Sequence, residues 1–354
     1  MKAAVYHGRR DVRIETVPDP GEPGPHEALL QVSRAAICGT DASEYEHGPL
    51  MIPLTRRHPG SGHQGPLILG HEFVGRVVAV GPDVDEVHVG QRVVPGAGMW
   101  CGACEWCKAG RPNLCARYYT LGLQASGGLA QFARVPVRMC RPVPDACTDD
   151  AAALAQPLAV AIHALRRSGA ERGQAIVLIG IGGIGAFILA AATAQGHAPI
   201  IAVDVDDERL TTARTLGATH VVNASANDPV AVIRDLTDQH GAHIVIEASG
   251  APSAPATALA AVRRGGRVLV VGLQAEPRSL DLYNMTLREV EMTGTVAHVC
   301  DVDLPAALEI LASSNLAGVV LDRVIPLDAL VEEGLRPLAE RTARGKIVVN
   351  PQTS

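Results

Sequence analysis

Aromatic side chains are scarce in this chain of 354 residues, where tryptophan, tyrosine and phenylalanine together make up 3%. Hydrophobic residues nevertheless reach 47%, a share that is usual for a globular protein. The core must therefore be built from alanine, valine, leucine and isoleucine. The same scarcity argues mildly against a large substrate pocket lined by aromatic rings.

Long runs of one charge are also missing, and the formal net charge is −6. Without a basic face, we predict no nucleic-acid partner and no anionic membrane partner. The N-terminus, MKAAVYHGRRDVRIE, lacks the apolar core of a signal peptide, so we expect a cytoplasmic protein. One stretch, AIVLIGIGGIGAFILAAATA, is long enough to raise the question of a membrane span. Its glycines stand where a turn is needed, so a strand, a turn and a helix explain it better.

Eight cysteines occur in the sequence, and a reducing compartment disfavours a disulfide framework. Four fall within CGACEWCKAGRPNLC, as Cys101, Cys104, Cys107 and Cys115. Four thiolates satisfy a tetrahedral Zn²⁺ completely and leave no position for water or substrate. We therefore predict a structural zinc site. The alternative is a chance cluster of thiols or a redox-active CxxC pair.

The chain divides by composition into three parts. Residues 1–150 contain short strand-like runs such as HEALLQVSRAAI and FVGRVVAVG, which predict a β-rich domain with the zinc lobe at about 96–118. A helix predicted in DDAAALAQPLAVAIHALRRSG, which starts at Asp149, leads into residues 151–292, and these then alternate apolar strands with helices. That alternation predicts a parallel sheet covered on both faces. Residues 293–354 mix a helix with closing strands, so the predicted fold class is α/β with a β-rich part.

A glycine-rich turn follows the strand AIVLI and opens a helix. In this context GxGxxG predicts a dinucleotide site, because the backbone must approach a pyrophosphate and the helix N-terminus favours anions. The candidate cofactor-binding residues are Gly180, Gly182, Gly183, Ile184, Gly185, Asp204 and Arg209. Asp204 ends the next strand, where a carboxylate binds the adenosine ribose and repels a 2′-phosphate, so NAD is favoured over NADP. The alternative role for Asp204, compatible with the first, is to cap the following helix.

A second group of metal-ligand residues lies in the β-rich part. Cys38 stands in ICGTD, and LGHEF supplies His71 and Glu72. A thiolate, an imidazole and a carboxylate from separate elements could hold Zn²⁺ with an open position, as catalytic zinc requires. By itself this pattern is weak, because a lone cysteine and histidine are more often structural.

The motifs CGTD, GHE, the four-cysteine segment, QPL and the glycine-rich turn resemble, in order and spacing, those of the zinc-dependent medium-chain alcohol dehydrogenases. The resemblance covers nearly the whole chain and is strongest for the butanediol and sorbitol (polyol) dehydrogenase branch. It implies a GroES-like catalytic domain and a Rossmann domain, assembled as a homodimer or homotetramer. The implied activity is reversible NAD-dependent oxidation of a small hydroxylated substrate, a secondary alcohol, vicinal diol or polyol, to a ketone.

For the catalytic site, the resemblance implies that Cys38 and His71 bind zinc, with Glu72 as a direct or intermittent ligand. Thr40 would hydrogen-bond the substrate oxygen and begin a proton relay, and Asp41 would orient His71. The four lobe cysteines would bind the second ion, which gives about two zinc ions per chain.

Two positions depart from the family pattern. Where the butanediol branch has CGTDLHEY, this chain has CGTDASEY, so Ser43 replaces the relay histidine. A hydroxyl passes a proton on but cannot act as a base near neutral pH, so water or a loop histidine (His47, His58 or His63) would complete the relay.

The second departure is Gln156 in ALAQPLAVA, where the family usually has glutamate. A neutral amide makes the site more positive by about one charge, which strengthens zinc as a Lewis acid. Both departures leave altered or lost catalysis as an alternative. The competing interpretations are a zinc-free enone reductase of the same superfamily and a non-catalytic NAD-binding protein with a decayed zinc site.

Overall fold

The computed structural model describes residues 1–353, and the chain forms two compact units. The first unit contains Met1–Ala159 and Val299–Ser354, and the second contains Val160–His298. Within residues 1–353, no helix combines the length and the apolar character needed to cross a membrane. The apolar stretch around the glycine-rich turn is divided between a strand and a helix, as predicted.

The N-terminal part of the first unit consists mainly of short strands. These are β1 (Lys2–Gly8), β2 (Asp11–Thr16), β3 (Glu27–Ala36), β4 (Leu67–Ile68), β5 (Glu72–Val80), β6 (Arg92–Pro95), β7 (Gly98–Met99), β8 (Tyr119–Thr120), β9 (Phe132–Pro136) and β10 (Cys140–Pro142). Helices α1 (Gly39–His47), α2 (Glu105–Lys108) and α3 (Asp149–Ala152) accompany them. Strand β3 pairs antiparallel with both β5 and β9, so it lies in the middle of the main sheet.

The second unit alternates strands and helices, and its sheet is parallel throughout. The elements, starting with a helix that begins just before the unit, are α4 (Ala155–Ser168), β11 (Ile176–Ile179), α5 (Gly183–Ala194), β12 (Ile200–Asp204), α6 (Asp207–Thr215), β13 (His220–Asn223), α7 (Pro229–Asp235), β14 (Ala242–Glu247), α8 (Ala254–Ala261), β15 (Val262–Val270), α9 (Leu282–Leu287) and β16 (Glu291–Gly294). The strand order β13-β12-β11-β14-β15-β16 is that of a doubly wound Rossmann domain. The predicted parallel sheet is therefore confirmed.

The chain then returns to the first unit. Its last elements are α10 (Cys300–Ser313), α11 (Leu316–Val320), β17 (Leu321–Pro326), α12 (Arg336–Ala339) and β18 (Lys346–Asn350). Strand β18 pairs antiparallel with β3 and parallel with β17. The resulting seven-stranded sheet has the order β10-β6-β5-β3-β18-β17, with β9 also on β3. The start of β18 therefore lies beside the end of β3.

The single helix predicted in DDAAALAQPLAVAIHALRRSG is wrong, because the structure has the two helices α3 and α4 there. A continuous helix would require the backbone of residue 157 to donate to the carbonyl oxygen of Ala153. Pro157 has no N–H group and cannot make that bond. The break places Pro157 in the first turn of α4, where an N–H would have no helical partner.

Close backbone contacts shape the turn between β11 and α5. Gly180 has φ +90°, and a Cβ there would lie 2.6 Å from the Cβ of Ser249. A Cβ on Gly185 would lie 1.9 Å from the carbonyl oxygen of Gly180, so helix α5 packs at a distance that only glycine permits. A Cβ on Gly183 would meet no atom within 4 Å. The first turn of α5 is therefore tight at Gly185 and open at Gly183.

We expect Gly185→Ala to lower the free energy of unfolding by about 1–3 kcal/mol, because its methyl group would collide with backbone that cannot move aside. Gly183→Ala, in the same helical turn, is the matched control and should keep wild-type stability. Urea denaturation of the three proteins measures both effects. Equal stability of the two variants would contradict the packing described here.

Candidate functional site

Cys38 follows strand β3 and is the N-cap residue of helix α1. Its backbone N–H donates to Oδ2 of Asp41 at 2.9 Å, which fixes the turn at the end of the strand. The sulfur lies 3.6 Å from Oγ1 of Thr40, so thiol and hydroxyl lie together at the start of the helix. Helix α1 was not predicted, although an acidic residue three positions after the N-cap residue is a recognisable capping signal.

His71 and Glu72 stand at the start of strand β5. The register of β5 on β3 places Glu72 opposite Ala36, two residues before Cys38. The chain enters the strand through Gly70, whose φ of +96° favours glycine. Both site residues are buried, and their ligand atoms and that of Cys38 lie within 4.8 Å of one another. The structure thus brings together the three residues that the sequence proposed for the catalytic metal.

Asp41 lies against His71. Its Oδ1 is 3.5 Å from Nδ1 of His71, and among residues 1–353 neither buried atom has a hydrogen-bond partner at shorter range. Burial by itself would lower the pKa of His71, but the Asp41 carboxylate and the Cys38 sulfur outweigh it and hold the pKa well above its usual value. Because Nδ1 faces Asp41, Nε2 is the nitrogen left to bind a metal.

Lys346, which the sequence did not single out, joins this site from strand β18. Its ammonium group donates to Oε2 of Glu72 at 2.5 Å and to the carbonyl oxygen of Ile37 at 3.0 Å. Burial lowers the pKa of Lys346, but Glu72 and Cys38 outweigh burial and raise it above its ordinary value. No motif spacing connects residue 346 with residue 72, so only the strand pairing reveals this contact.

The donor atoms of this cluster fit a catalytic zinc. Sulfur, imidazole nitrogen and carboxylate oxygen are all zinc ligands, and three protein ligands leave one position open. The carboxylate of Asp41 beside Nδ1 is also the partner that a metal-bound histidine usually has. Cys38, His71 and Glu72 could therefore hold the ion, with Asp41 orienting the imidazole.

Ser43 and Gln156, the two departures from the family pattern, lie on different helices. Ser43 is exposed on α1, and its hydroxyl donates to the carbonyl oxygen of Gly39 at 2.9 Å. Gln156 is half-buried in the first turn of α4. The hydroxyl of Ser43 is thus engaged with its own helix.

The loop histidines make contacts within their own loop. Nδ1 of His58 accepts from the backbone N–H groups of Gly60 and Ser61, both at 3.2 Å. Burial lowers the pKa of His58, so its imidazole is neutral near pH 7. Nε2 of His63 lies 3.1 Å from the carbonyl oxygen of Gly65. His58 and His63 therefore each use one ring nitrogen to shape the loop, and His47 is exposed in the last turn of α1.

The four lobe cysteines also converge, with all sulfurs within 4.8 Å of one another. The Cys107 sulfur lies 3.5 Å from that of Cys104 and 4.0 Å from that of Cys101. A tetrahedral ion with bonds of about 2.3 Å separates its sulfurs by about 3.8 Å, so the lobe fits zinc. Backbone N–H groups of Ala103 and Cys104 lower the pKa of Cys101 to about 5, which favours the thiolate that binds metal. This four-way convergence disfavours a redox CxxC pair.

Asp204 is buried at the end of β12 and is tied to the glycine-rich turn. Its Oδ2 accepts from the backbone N–H of Ile181 at 2.7 Å, and its Oδ1 accepts from those of Val205 and Asp206. The N-cap of helix α6 is Asp206, not Asp204, so the capping alternative for Asp204 is wrong. Holding this turn is a role of the Asp204 carboxylate that sequence reasoning missed.

The space in front of the glycine-rich turn suits a dinucleotide. A Cβ on Gly182 would meet only the guanidinium of Arg209, at 3.8 Å. Arg209 is partly exposed, and its Nη1 lies 3.9 Å from Oδ1 of Asp204. Gly183, Ile184 and Gly185 form the first turn of α5, whose N–H groups are available to an anion. The candidate cofactor residues therefore lie together at one end of the parallel sheet.

Family models match both parts of the chain. The model described as the alcohol dehydrogenase GroES-like domain matches residues 24–145, and the one described as zinc-binding dehydrogenase matches residues 183–313. Sorbitol dehydrogenase of Bacillus subtilis is 34% identical over 98% of this chain and 94% of its own length. The (R,R)-butanediol dehydrogenase of Neisseria gonorrhoeae is 32% identical over 99% of both chains.

Solved structures agree with these matches. The crystal structure of 2R,3R-butanediol dehydrogenase from Bacillus subtilis superimposes with a TM-score of 0.92, at 30% identity, over 99% of both chains. The predicted combination of a GroES-like domain with a Rossmann domain is thereby confirmed. The chain belongs to the zinc-binding alcohol dehydrogenase family, in the branch that contains the sorbitol and butanediol dehydrogenases.

Proposed function

We propose that this protein is a zinc-dependent NAD(H) oxidoreductase that interconverts a secondary alcohol, vicinal diol or polyol hydroxyl and its ketone. The main observation in support is that Cys38, His71 and Glu72 converge in one place. These three donors leave zinc an open coordination position. Relatives named sorbitol dehydrogenase and butanediol dehydrogenase support a small hydroxylated substrate.

When bound, zinc supplies a Lewis acid and NAD supplies a hydride acceptor. In this proposal Asp41 keeps the imidazole of His71 turned so that Nε2 faces the ion. Thr40, whose hydroxyl adjoins the Cys38 sulfur, hydrogen-bonds the substrate oxygen, accepts its proton and gives up its own hydroxyl proton in the same step. Because no imidazole stands at position 43 and the Ser43 hydroxyl already donates to the carbonyl oxygen of Gly39, water carries the proton to solvent. Gln156 leaves the site more positive than a glutamate would.

The preference for NAD rests on Asp204. Three backbone N–H groups hold its carboxylate in place, which supports a fixed negative charge that would repel a 2′-phosphate. Arg209, which lies beside Gly182 and within 3.9 Å of Asp204, offers a cation to the cofactor.

We further propose a cytoplasmic protein that assembles as a homodimer or homotetramer. None of the eight cysteines forms a disulfide, which supports a reducing compartment. Strand β16 lies at the edge of the six-stranded sheet and could pair with a second copy. A zinc-free enone reductase would have no use for the buried Cys38, His71 and Glu72 cluster.

Purified protein is expected to contain about two zinc ions per chain. Cys38→Ser should remove one ion and abolish turnover. It should leave the melting temperature unchanged, because the four lobe cysteines still bind the structural zinc. Cys104→Ala should remove the other ion and lower the melting temperature, because structural zinc contributes folding free energy. Elemental analysis, activity assays and thermal denaturation of both variants separate the two sites. Full turnover by Cys38→Ser would show that the cluster is not catalytic.

A substrate screen tests the activity itself. With NAD⁺, vicinal diols, polyols and aminocyclitols should be oxidised, and primary alcohols of equal carbon number serve as the matched control. Reduction of the cofactor is followed at the nicotinamide absorbance, and NADP⁺ should support much slower turnover because of Asp204. Enone reduction with NADPH, or tight NADH binding without turnover of any alcohol, would favour one of the two competing interpretations.

A further inference from the structure

Lysine is rare in this chain, which has three lysines among its 31 basic residues. Lys2 and Lys108 are at or near the surface, whereas the side chain of Lys346 is 11% exposed and lies beside the candidate metal cluster. Arginine supplies most of the basic side chains, yet the cation at this buried position is a lysine ammonium group. The difference matters, because the two cations bind carboxylates differently.

Strand pairing places Lys346 between the two segments that supply Cys38 and Glu72. Strand β18 pairs with the end of β3, and the N–H of Ile37 donates to the carbonyl oxygen of Ile347 at 3.0 Å. Nζ of Lys346 in turn donates a hydrogen bond to the carbonyl oxygen of Ile37, the residue before Cys38. Its other bond goes to Oε2 of Glu72 on β5. Lys346 therefore links the segment between β3 and Cys38 with the strand that begins at Glu72.

The geometry of the contact leaves part of Glu72 free. An ammonium group is a point charge and can be satisfied by one carboxylate oxygen, Oε2 here. An arginine at this position would present a planar fork that takes both oxygens of a carboxylate. Lysine therefore fixes Glu72 and leaves Oε1 available to a metal ion.

The charge balance of the site also supports a role for Lys346 beside the metal. With zinc bound, the anionic groups of the buried site are the Cys38 thiolate, Asp41 and Glu72. A divalent ion and the ammonium of Lys346 together balance these three negative charges. Without Lys346 the site would keep one excess negative charge, and the Glu72 carboxylate would be free to approach the ion with both oxygens.

We propose that Lys346 is a positioning residue that makes Glu72 a one-oxygen metal ligand and weakens its hold on the ion. This inference rests on the proposed zinc site. It predicts opposite effects for two substitutions. Lys346→Met should let Glu72 bind through both oxygens and retain metal at least about tenfold more tightly, because a nearby positive charge is gone. Lys346→Arg should occupy both oxygens and retain metal less tightly.

The test uses Co²⁺ exchanged into the full-length protein and its Lys346→Met, Lys346→Arg and Lys2→Met variants. Lys2→Met is the control, because Lys2 also pairs with a carboxylate, that of Asp328, but does so at the surface. The visible Co²⁺ bands report coordination number, and competition with a chelator reports retention. We expect weaker bands and slower loss for Lys346→Met, and faster loss for Lys346→Arg. The Lys2→Met control should match the wild type.

Identical spectra and retention in all four proteins would overturn the role of Lys346. Should Lys346→Met fail to fold, Lys346→Arg decides alone, and unchanged retention there overturns the proposal. Failure of the proposed zinc site has a different signature. In that case Co²⁺ would give no thiolate charge-transfer band that disappears in Cys38→Ser, whatever stands at residue 346.

Discussion

The pairing of strand β3 with β5 on one side and β18 on the other is the constraint on which the metal site depends. Cys38, Glu72 and Lys346 stand at the ends of these three strands, far apart in sequence. Their side chains meet only because the register brings the three strand ends together. A shift of one residue would turn each side chain to the other face of the sheet.

Burial of so many ionisable groups in one place is costly unless they are paired. The site meets this requirement locally, with Asp41 on the imidazole of His71 and Lys346 on Glu72. Asp41 faces Nδ1 of His71 and Lys346 binds Oε2 of Glu72, and neither of these atoms is needed to bind the metal. The site is thus held in shape by contacts that leave the sulfur of Cys38, Nε2 of His71 and one oxygen of Glu72 free to bind an ion.

Much of this arrangement could be predicted from the sequence, because its parts are local. The glycine-rich turn, the four-cysteine lobe and the GHE and CGTD motifs carry their chemistry within a few residues. The contacts of Lys346 and the backbone bonds of Asp204 could not be predicted, because they depend on pairing between distant segments. The break before helix α4 was missed although Pro157 marks it, since the apolar pattern on either side is continuous.

In the proposed site, one buried cluster holds a metal ion and leaves a coordination position open. Anomalous X-ray diffraction from crystals of the protein, measured at the zinc absorption edge, tests it most directly. Two peaks are expected in each chain, one among the lobe cysteines and one bounded by the Cys38 sulfur, Nε2 of His71 and a single oxygen of Glu72. A peak at the lobe alone, from crystals grown with zinc present, would contradict it.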